Sequence, residues 1–184
     1  MLTINLGPCP TLTTDRLIIR RLKQSDGNNL HQLRSDPALM RFIPRPLTTC
    51  VEDAVRLIQV FNDAIRRNES ITWGITLQDQ PGVIGTIGFV RINPENFRAE
   101  VGYLLHPDYQ GLGIMQEALQ AVVDYGFGAM RLHSIVAIVD PGNTASARVL
   151  ERSGFRKEGH FREDKYFNGR FLDSVYYARL ASEL

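Results

Sequence analysis

The sequence predicts an α+β fold, a mixed sheet with helices on its faces, organised as a single domain over residues 1–184. Three observations predict it. Short Ile- and Val-containing runs with two-residue alternation recur, three of them consecutive between Ser70 and His106. Apolar spacing of three and four marks helices between the runs, clearest over residues 49–66 and 112–127. The resulting order is strand, two helices, three strands, helix, strand, helix, two strands, which fits neither a Rossmann alternation nor a bundle.

Each element has its own signal. Asp15 to Lys23 (DRLIIRRLK) has the short form of a strand. Ser25-Asp26 then offers an N-cap, and NNLHQLRSD reads as a short helix ended by Asp36-Pro37. Thr49 is the expected N-cap of the next helix, ahead of apolar Val51, Ala54, Val55, Ile58, Phe61 and Ile65. SITWGITLQD and VIGTIGFVRI, joined by QPG, read as a hairpin, and NPEN turns the chain into a third adjacent strand, Phe97 to His106. A long helix follows from about Leu112 to Phe127. LHSIVAIVD reads as a buried strand, and NTASARVLERSG as a helix stopped by Gly154. The last segment reads as two strands joined at Asn168-Gly169.

Composition narrows the function. A formal net charge of +1 argues against a general nucleic-acid binder, whose footprint is a basic excess. Cys9 and Cys50 lie far apart without a CxxC pair, so neither a disulfide framework nor a zinc site is expected. The first residues lack the charged and apolar regions of a secretory signal, and no apolar run reaches about 18 residues. A cytoplasmic protein without a membrane span is the expectation.

One segment asks for chemistry. HPDYQGLGIMQEAL places Gly111 and Gly113 at the start of the long helix. Such glycines either make a tight strand-to-helix turn or bare the backbone so that N–H groups converge on an anion, with the helix dipole assisting. No Gly-Lys-Ser/Thr follows, and position 116 is Gln where a GxGxxG motif needs glycine, so nucleoside triphosphatase and dinucleotide readings are disfavoured. A pyrophosphate ligand without a required metal remains open beside the plain turn.

Five blocks carry a resemblance: TDRLIIRRLKQSD, GTIGFVRI, AEVGYLLHPDYQGLGIMQEAL, NTASARVLERSGF and YFNGRFLDSVYY. In that order the chain resembles the GNAT superfamily of acetyl-CoA-dependent N-acetyltransferases. It is most similar to the RimJ/RimL-type branch, which acetylates protein N-termini. The family motif Gln/Arg-x-x-Gly-x-Gly/Ala falls on Gln110, Gly111, Leu112, Gly113, Ile114 and Met115, and Met115 departs from the small final residue. The resemblance implies a mostly antiparallel central sheet flanked by helices, acetyl-CoA as cosubstrate, and no metal. It implies backbone groups of Leu104 and Leu105 against the pantetheine arm, the Leu105 N–H as oxyanion donor, and amides of Gln110 to Met115 on the pyrophosphate.

Asn143 and Ser146 match the family's second cofactor block, although an N-cap and a first-turn serine are the plain readings of the same residues. The resemblance implies that Asn143 touches pantetheine and that Ser146 lies near the thioester sulfur. Many members carry a tyrosine acid where this chain has Leu150, so Ser146 becomes the expected proton donor or thiolate partner. Glu100 is the expected water-relayed base, against a rim carboxylate paired with Arg98 or another base; Lys165 stands where RimL-like relatives can carry a second acid.

The implied acceptor is a primary amine, foremost a protein N-terminal α-amine of the ribosomal alanine or serine type. An α-amine of pKa about 7.7–8.0 is roughly a tenth neutral at pH 7, whereas a lysine-type amine at about 10.4 is neutral about once in 2,500. A site with one carboxylate suits the former. A small amine (polyamine, amino acid or antibiotic) is the alternative, and a non-catalytic CoA-sensing or assembly module is the alternative of another class. Homodimers are common in the family. Arg41 and Arg45, flanking FIP, lie where this fold shapes acceptor choice, and Arg148 either meets cofactor phosphates or pairs with Glu117 or Glu151.

Overall fold

In the computed structural model, which describes residues 2–183, a single eight-stranded sheet runs through the molecule. In chain order its strands are β1 (Leu12–Thr13), β2 (Leu17–Arg21), β3 (Ile71–Leu77), β4 (Gly85–Asn93), β5 (Arg98–Leu105), β6 (Ser134–Val139), β7 (Arg156–Phe167) and β8 (Arg170–Leu180). Their spatial order is β1-β2-β3-β4-β5-β6-β8-β7. The helices are α1 (Gly27–Ser35), α2 (Val51–Arg66), α3 (Ile114–Gly128) and α4 (Thr144–Arg152). The expected order of elements is observed, with β1 as a two-residue addition too short to leave a sequence pattern.

Every neighbouring pair in the sheet is antiparallel except β5 and β6. That parallel pair is short. Arg98, Ala99 and Glu100 face Ser134, Ile135 and Val136, and the register ends there although both strands continue. Beyond Glu100 the two strands diverge and leave a wedge in the middle of the sheet. On its other side β5 pairs with β4 along its whole length, and one extra β4 residue, Val90, bulges between Phe89 and Arg91.

The two faces of the sheet bury different helices. One core joins Trp73, Phe89, Val101 and Leu105 to the inner stripe of α3, Ile114, Met115, Ala118, Leu119, Val122 and Val123. Trp73 stacks edge-on against Phe89 and Tyr125 and donates its indole N–H to the Pro10 carbonyl at 2.8 Å. The opposite core joins Leu22, Val83 and Leu104 to Leu30, Leu33, Ala54 and Ile58 of α1 and α2. Alternation along β5 therefore sends Leu104 to one core and Val101 and Leu105 to the other.

Two expected caps differ. Helix α2 starts after Cys50, not Thr49; the Thr49 N–H and hydroxyl both donate to the Asp53 carboxylate at 2.7 and 2.6 Å. Thr49 serves as donor because Asp53, in the first turn, gathers the free N–H groups from outside the helix. Asp26 immediately precedes α1, yet its carboxylate turns away from the helix. It takes the Lys23 N–H at 2.7 Å and both terminal nitrogens of Arg20, at 2.8 and 2.9 Å. Gly154, at φ +79°, follows α4 as expected, and Asn168 and Gly169, at φ 47° and 80°, make the left-handed pair that closes the β7–β8 hairpin. No helix among the described residues is long and apolar enough to cross a membrane.

Candidate active site

The wedge decides which backbone groups are free. The His106 N–H donates to the Ile84 carbonyl at 2.8 Å, and Leu104 lies opposite Thr86 two residues earlier. In an antiparallel ladder the bonding direction alternates, so the N–H and C=O of Leu104 point to β4. Those of Tyr103 and Leu105 point the other way, into the wedge. This corrects the expectation that Leu104 and Leu105 both present backbone groups to a ligand. Tyr103, Leu104 and Leu105 all line the cleft, and Tyr103 takes the place of Leu104 in the backbone pair. The Leu105 carbonyl accepts from Gln110 Nε2 at 3.0 Å, so Gln110 braces the turn that follows the strand.

That turn leads into the glycine loop. Gly111 and Gly113 stand at φ +75° and +76°, a region costly for residues with a Cβ, and Gly113 caps α3. The helix therefore starts at Ile114, and Leu112 lies exposed in the loop before it. The first ladder bond runs from the Glu117 N–H to the Gly113 carbonyl at 3.0 Å. The amides of Ile114, Met115 and Gln116 precede it and carry the positive end of the helix dipole. Met115 is 6% exposed and packs in the α3-side core, so its bulk goes inward while its N–H stays in the first turn. The departure from Gly or Ala is met by core packing.

The loop is held from outside by Arg16, which donates to Glu117 Oε2 at 2.6 Å and to the Leu112 carbonyl at 3.0 Å. Thr14 Oγ1 donates to Glu117 Oε1 at 2.5 Å. Burial raises the Glu117 pKa, but these donors outweigh it and hold the carboxyl below its ordinary value. Arg16 thereby occupies one carboxylate expected for Arg148, and Glu151, the other, accepts from the Tyr177 hydroxyl at 3.3 Å. Arg148 lines the cleft.

On the facing side, Asn143 Oδ1 accepts the Ser146 N–H at 3.1 Å, an ordinary N-cap of α4. Ser146 Oγ lies 2.8 Å from the Tyr103 hydroxyl. Burial pushes that hydroxyl up to about 12, the Ser146 bond opposing the rise. Leu150 is fully buried in the core. Sequence reasoning missed Tyr103. Alternation puts it on the Val101–Leu105 side of β5, and only the wedge and the start of α4 reveal what it meets there.

These parts enclose a cleft of about 570 Å³. Of the expected site residues it brings together Leu104, Leu105, Gln110, Gly111, Gly113, Ile114, Met115, Asn143 and Ser146. Phe42 and Ile43, from the loop after α1, form an opposite wall. Leu112 and Glu100 are not among the lining residues. Glu100 lies deeper along β5, three residues from Tyr103, and its carboxylate is 3.4 Å from Arg91 rather than paired with Arg98. The bulge at Val90 puts Arg91 directly opposite Glu100. Lys165 shares this neighbourhood: burial lowers its pKa, Arg45 and Arg91 lower it further, and Glu100 opposes them. The cleft fits a long acyl-bearing arm that ends in a pyrophosphate: an unpaired strand edge for the arm, and bare glycines with free helix amides for the phosphates.

Comparison with known proteins agrees with this geometry. Residues 16–156 match the family described as an acetyltransferase (GNAT) domain. The chain is 36% identical over 173 residues to the uncharacterized N-acetyltransferase p20 of Bacillus licheniformis, covering 94% of this chain and 97% of that one. It is 26% identical over 158 residues to spermidine N(1)-acetyltransferase of Escherichia coli (strain K12), covering 85% and 82%. A solved structure of RimL, a ribosomal L7/L12 α-N-protein acetyltransferase in complex with coenzyme A, has a TM-score of 0.84 at 27% identity, covering 93% and 98%.

Proposed function

Given that the chain belongs to the GNAT acetyltransferase family and is an acetyl-CoA-dependent N-acetyltransferase, we propose that its acceptor is a protein N-terminal α-amine. Transfer is direct, in a ternary complex, so that placing amine and thioester together supplies much of the acceleration.

The arm of acetyl-CoA lies in the wedge as an added strand, and its pyrophosphate sits on the amides that open α3. Leu105 is the expected oxyanion donor, and two amides face the wedge, about 6.6 Å apart in a strand. Ser146 is bonded to the side chain of the inner one, Tyr103. The Leu105 N–H is assigned to the thioester oxygen, as the resemblance implies, with the Tyr103 N–H beside it in the wedge. Preorganised donors of this kind contribute a few kcal/mol. Ser146 solvates the departing thiolate. Glu100, about 10 Å along the strand from Tyr103, takes the amine proton through water.

One observation favours an α-amine over a polyamine. The carboxylate assigned as base stands among cations, with Arg91 at 3.4 Å and Lys165 close by, itself near Arg45. A polyamine carries several charges at pH 7 and meets repulsion there, whereas an α-amine is already partly neutral and its chain can carry acidic residues. The relative that acts on spermidine supports the rival reading.

A CoA-release assay decides between them. Peptides beginning with Ser or Ala and bearing acidic residues downstream are expected to have kcat/KM at least tenfold above spermidine, free amino acids and aminoglycosides. Preference for spermidine would overturn the acceptor assignment. Acetyl-CoA binding with no turnover on any amine would favour a sensor.

A further inference from the structure

We propose that Tyr103 is a positioning residue for acyl transfer: its hydroxyl donates to Ser146 Oγ and so aims the serine's own O–H at the departing sulfur. This rests on the reading of Ser146 as the group beside the thioester.

A serine hydroxyl has one hydrogen and can accept as well as donate. If Ser146 gives that hydrogen to Tyr103, nothing is left for the sulfur. If Tyr103 is the donor, the serine oxygen is held by one lone pair and its O–H is left for the cleft that both residues line. One observation favours the second arrangement, and another permits it. The Tyr103 oxygen is 2.8 Å from Ser146 Oγ and 3.3 Å from the Ser146 carbonyl. That carbonyl lies within α4, where the amide four residues on competes for it, so Oγ is the better acceptor. Burial also holds the phenol far above neutral pH, so Tyr103 keeps its hydrogen throughout the working range.

No proton leaves Tyr103 in the step. The amine nitrogen bonds to the carbonyl carbon, the C–S bond breaks, and its electron pair stays on sulfur. The Ser146 O–H hydrogen-bonds that thiolate, and the amine proton passes through water to Glu100. A thiol of pKa about 8.5 is a tolerable leaving anion when solvated in this way. Leu150 fills the core at the helix position where other members carry a tyrosine, and here a tyrosine from a strand meets α4 one turn earlier, at Ser146.

Tyr103→Phe removes the donor and leaves the backbone amide in the wedge. It is expected to lower kcat about tenfold with KM for acetyl-CoA within twofold, as is Ser146→Ala, consistent with one hydrogen bond each. The double variant is expected to be no worse than about threefold below the slower single, because both changes disable one device. Wild-type kcat in Tyr103→Phe beside a tenfold loss in Ser146→Ala would sink the proposal and spare the Ser146 reading. A hundredfold loss in the double variant would also sink it, because the two residues would then act independently. Wild-type kcat in Ser146→Ala would overturn the underlying reading and this proposal with it. A further measurement needs no Tyr103 variant: the wild-type protein is expected to show a slowly exchanging Tyr103 hydroxyl proton by NMR, lost in Ser146→Ala. Its absence in the wild type overturns the donor assignment.

Discussion

Gly111→Ala and Gly113→Ala separate what the turn needs from what the ligand needs. Both positions have φ near +75°, where an alanine costs about 1 kcal/mol. A Cβ at Gly111 would have nothing within 4 Å, and one at Gly113 would stand 3.5 Å from Arg16, an ordinary contact. No protein atom therefore penalises the methyl groups, and each variant is expected to fold with Tm lower by about 2–4 °C. Gly169→Ala, at φ +80° with nothing within 4 Å, carries the same backbone penalty away from the cleft and serves as the control. If the loop amides hold the pyrophosphate, a methyl pushes it off at least one charge-assisted bond worth about 1.5–3 kcal/mol. Calorimetric titration with acetyl-CoA should then show Kd rising about 10- to 100-fold for the two loop variants and unchanged for Gly169→Ala. Unchanged Kd in all three, with the same Tm loss, would mean that the glycines serve the turn alone.

Three further outcomes follow from the charges. Asp26, 5% exposed, holds Arg20 by two bonds, so Asp26→Ala leaves a cation without its partner and is expected to cost about 3 kcal/mol by denaturant unfolding. Burial raises the Asp26 pKa, but bonds from Arg20 and Lys23 more than offset this, and the folded value lies below the ordinary 3.8. That contribution is fully present above about pH 4 and is lost as pH falls through the depressed value, so acid melts of Asp26→Asn should be flatter than wild type below pH 4. For the acceptor, Lys165→Glu combined with Arg91→Glu reverses two of the charges around Glu100. Relative kcat/KM should shift toward spermidine and away from acidic peptides by about tenfold; an unaltered ratio would remove these cations from acceptor choice.

What could be read ahead of the structure followed from local chemistry. Asn168-Gly169 states its turn because few other pairs accept two positive φ values. The α3 stripe states its buried face by spacing alone. Thr49 misled because an N-cap preference does not say whether the hydroxyl accepts or donates, and Asp53 in the first turn reversed the role. Asp26 misled for a related reason, since an arginine six residues earlier outbid the helix. The site itself was legible as residue types but not as directions. Which of Tyr103, Leu104 and Leu105 shows its backbone to the wedge depends on the pairing phase with β4, which a single extra residue such as Val90 can shift. Arg91 facing Glu100, in place of Arg98, follows from the same bulge.

The three-pair seam between β5 and β6 has one more consequence. Backbone groups left open at the centre of a sheet are wet in the free protein, so a strand-like guest exchanges hydrogen bonds with water and gains only about 1 kcal/mol from each. The wedge is therefore a poor source of affinity and a good ruler. Matching bonding groups recur along a strand edge only every second residue, about 6.6 Å, so an arm cannot slide by a small amount and stay bonded. Grip belongs to the glycine loop at one end, and the graduated edge between loop and Ser146 sets where the reacting carbon stops.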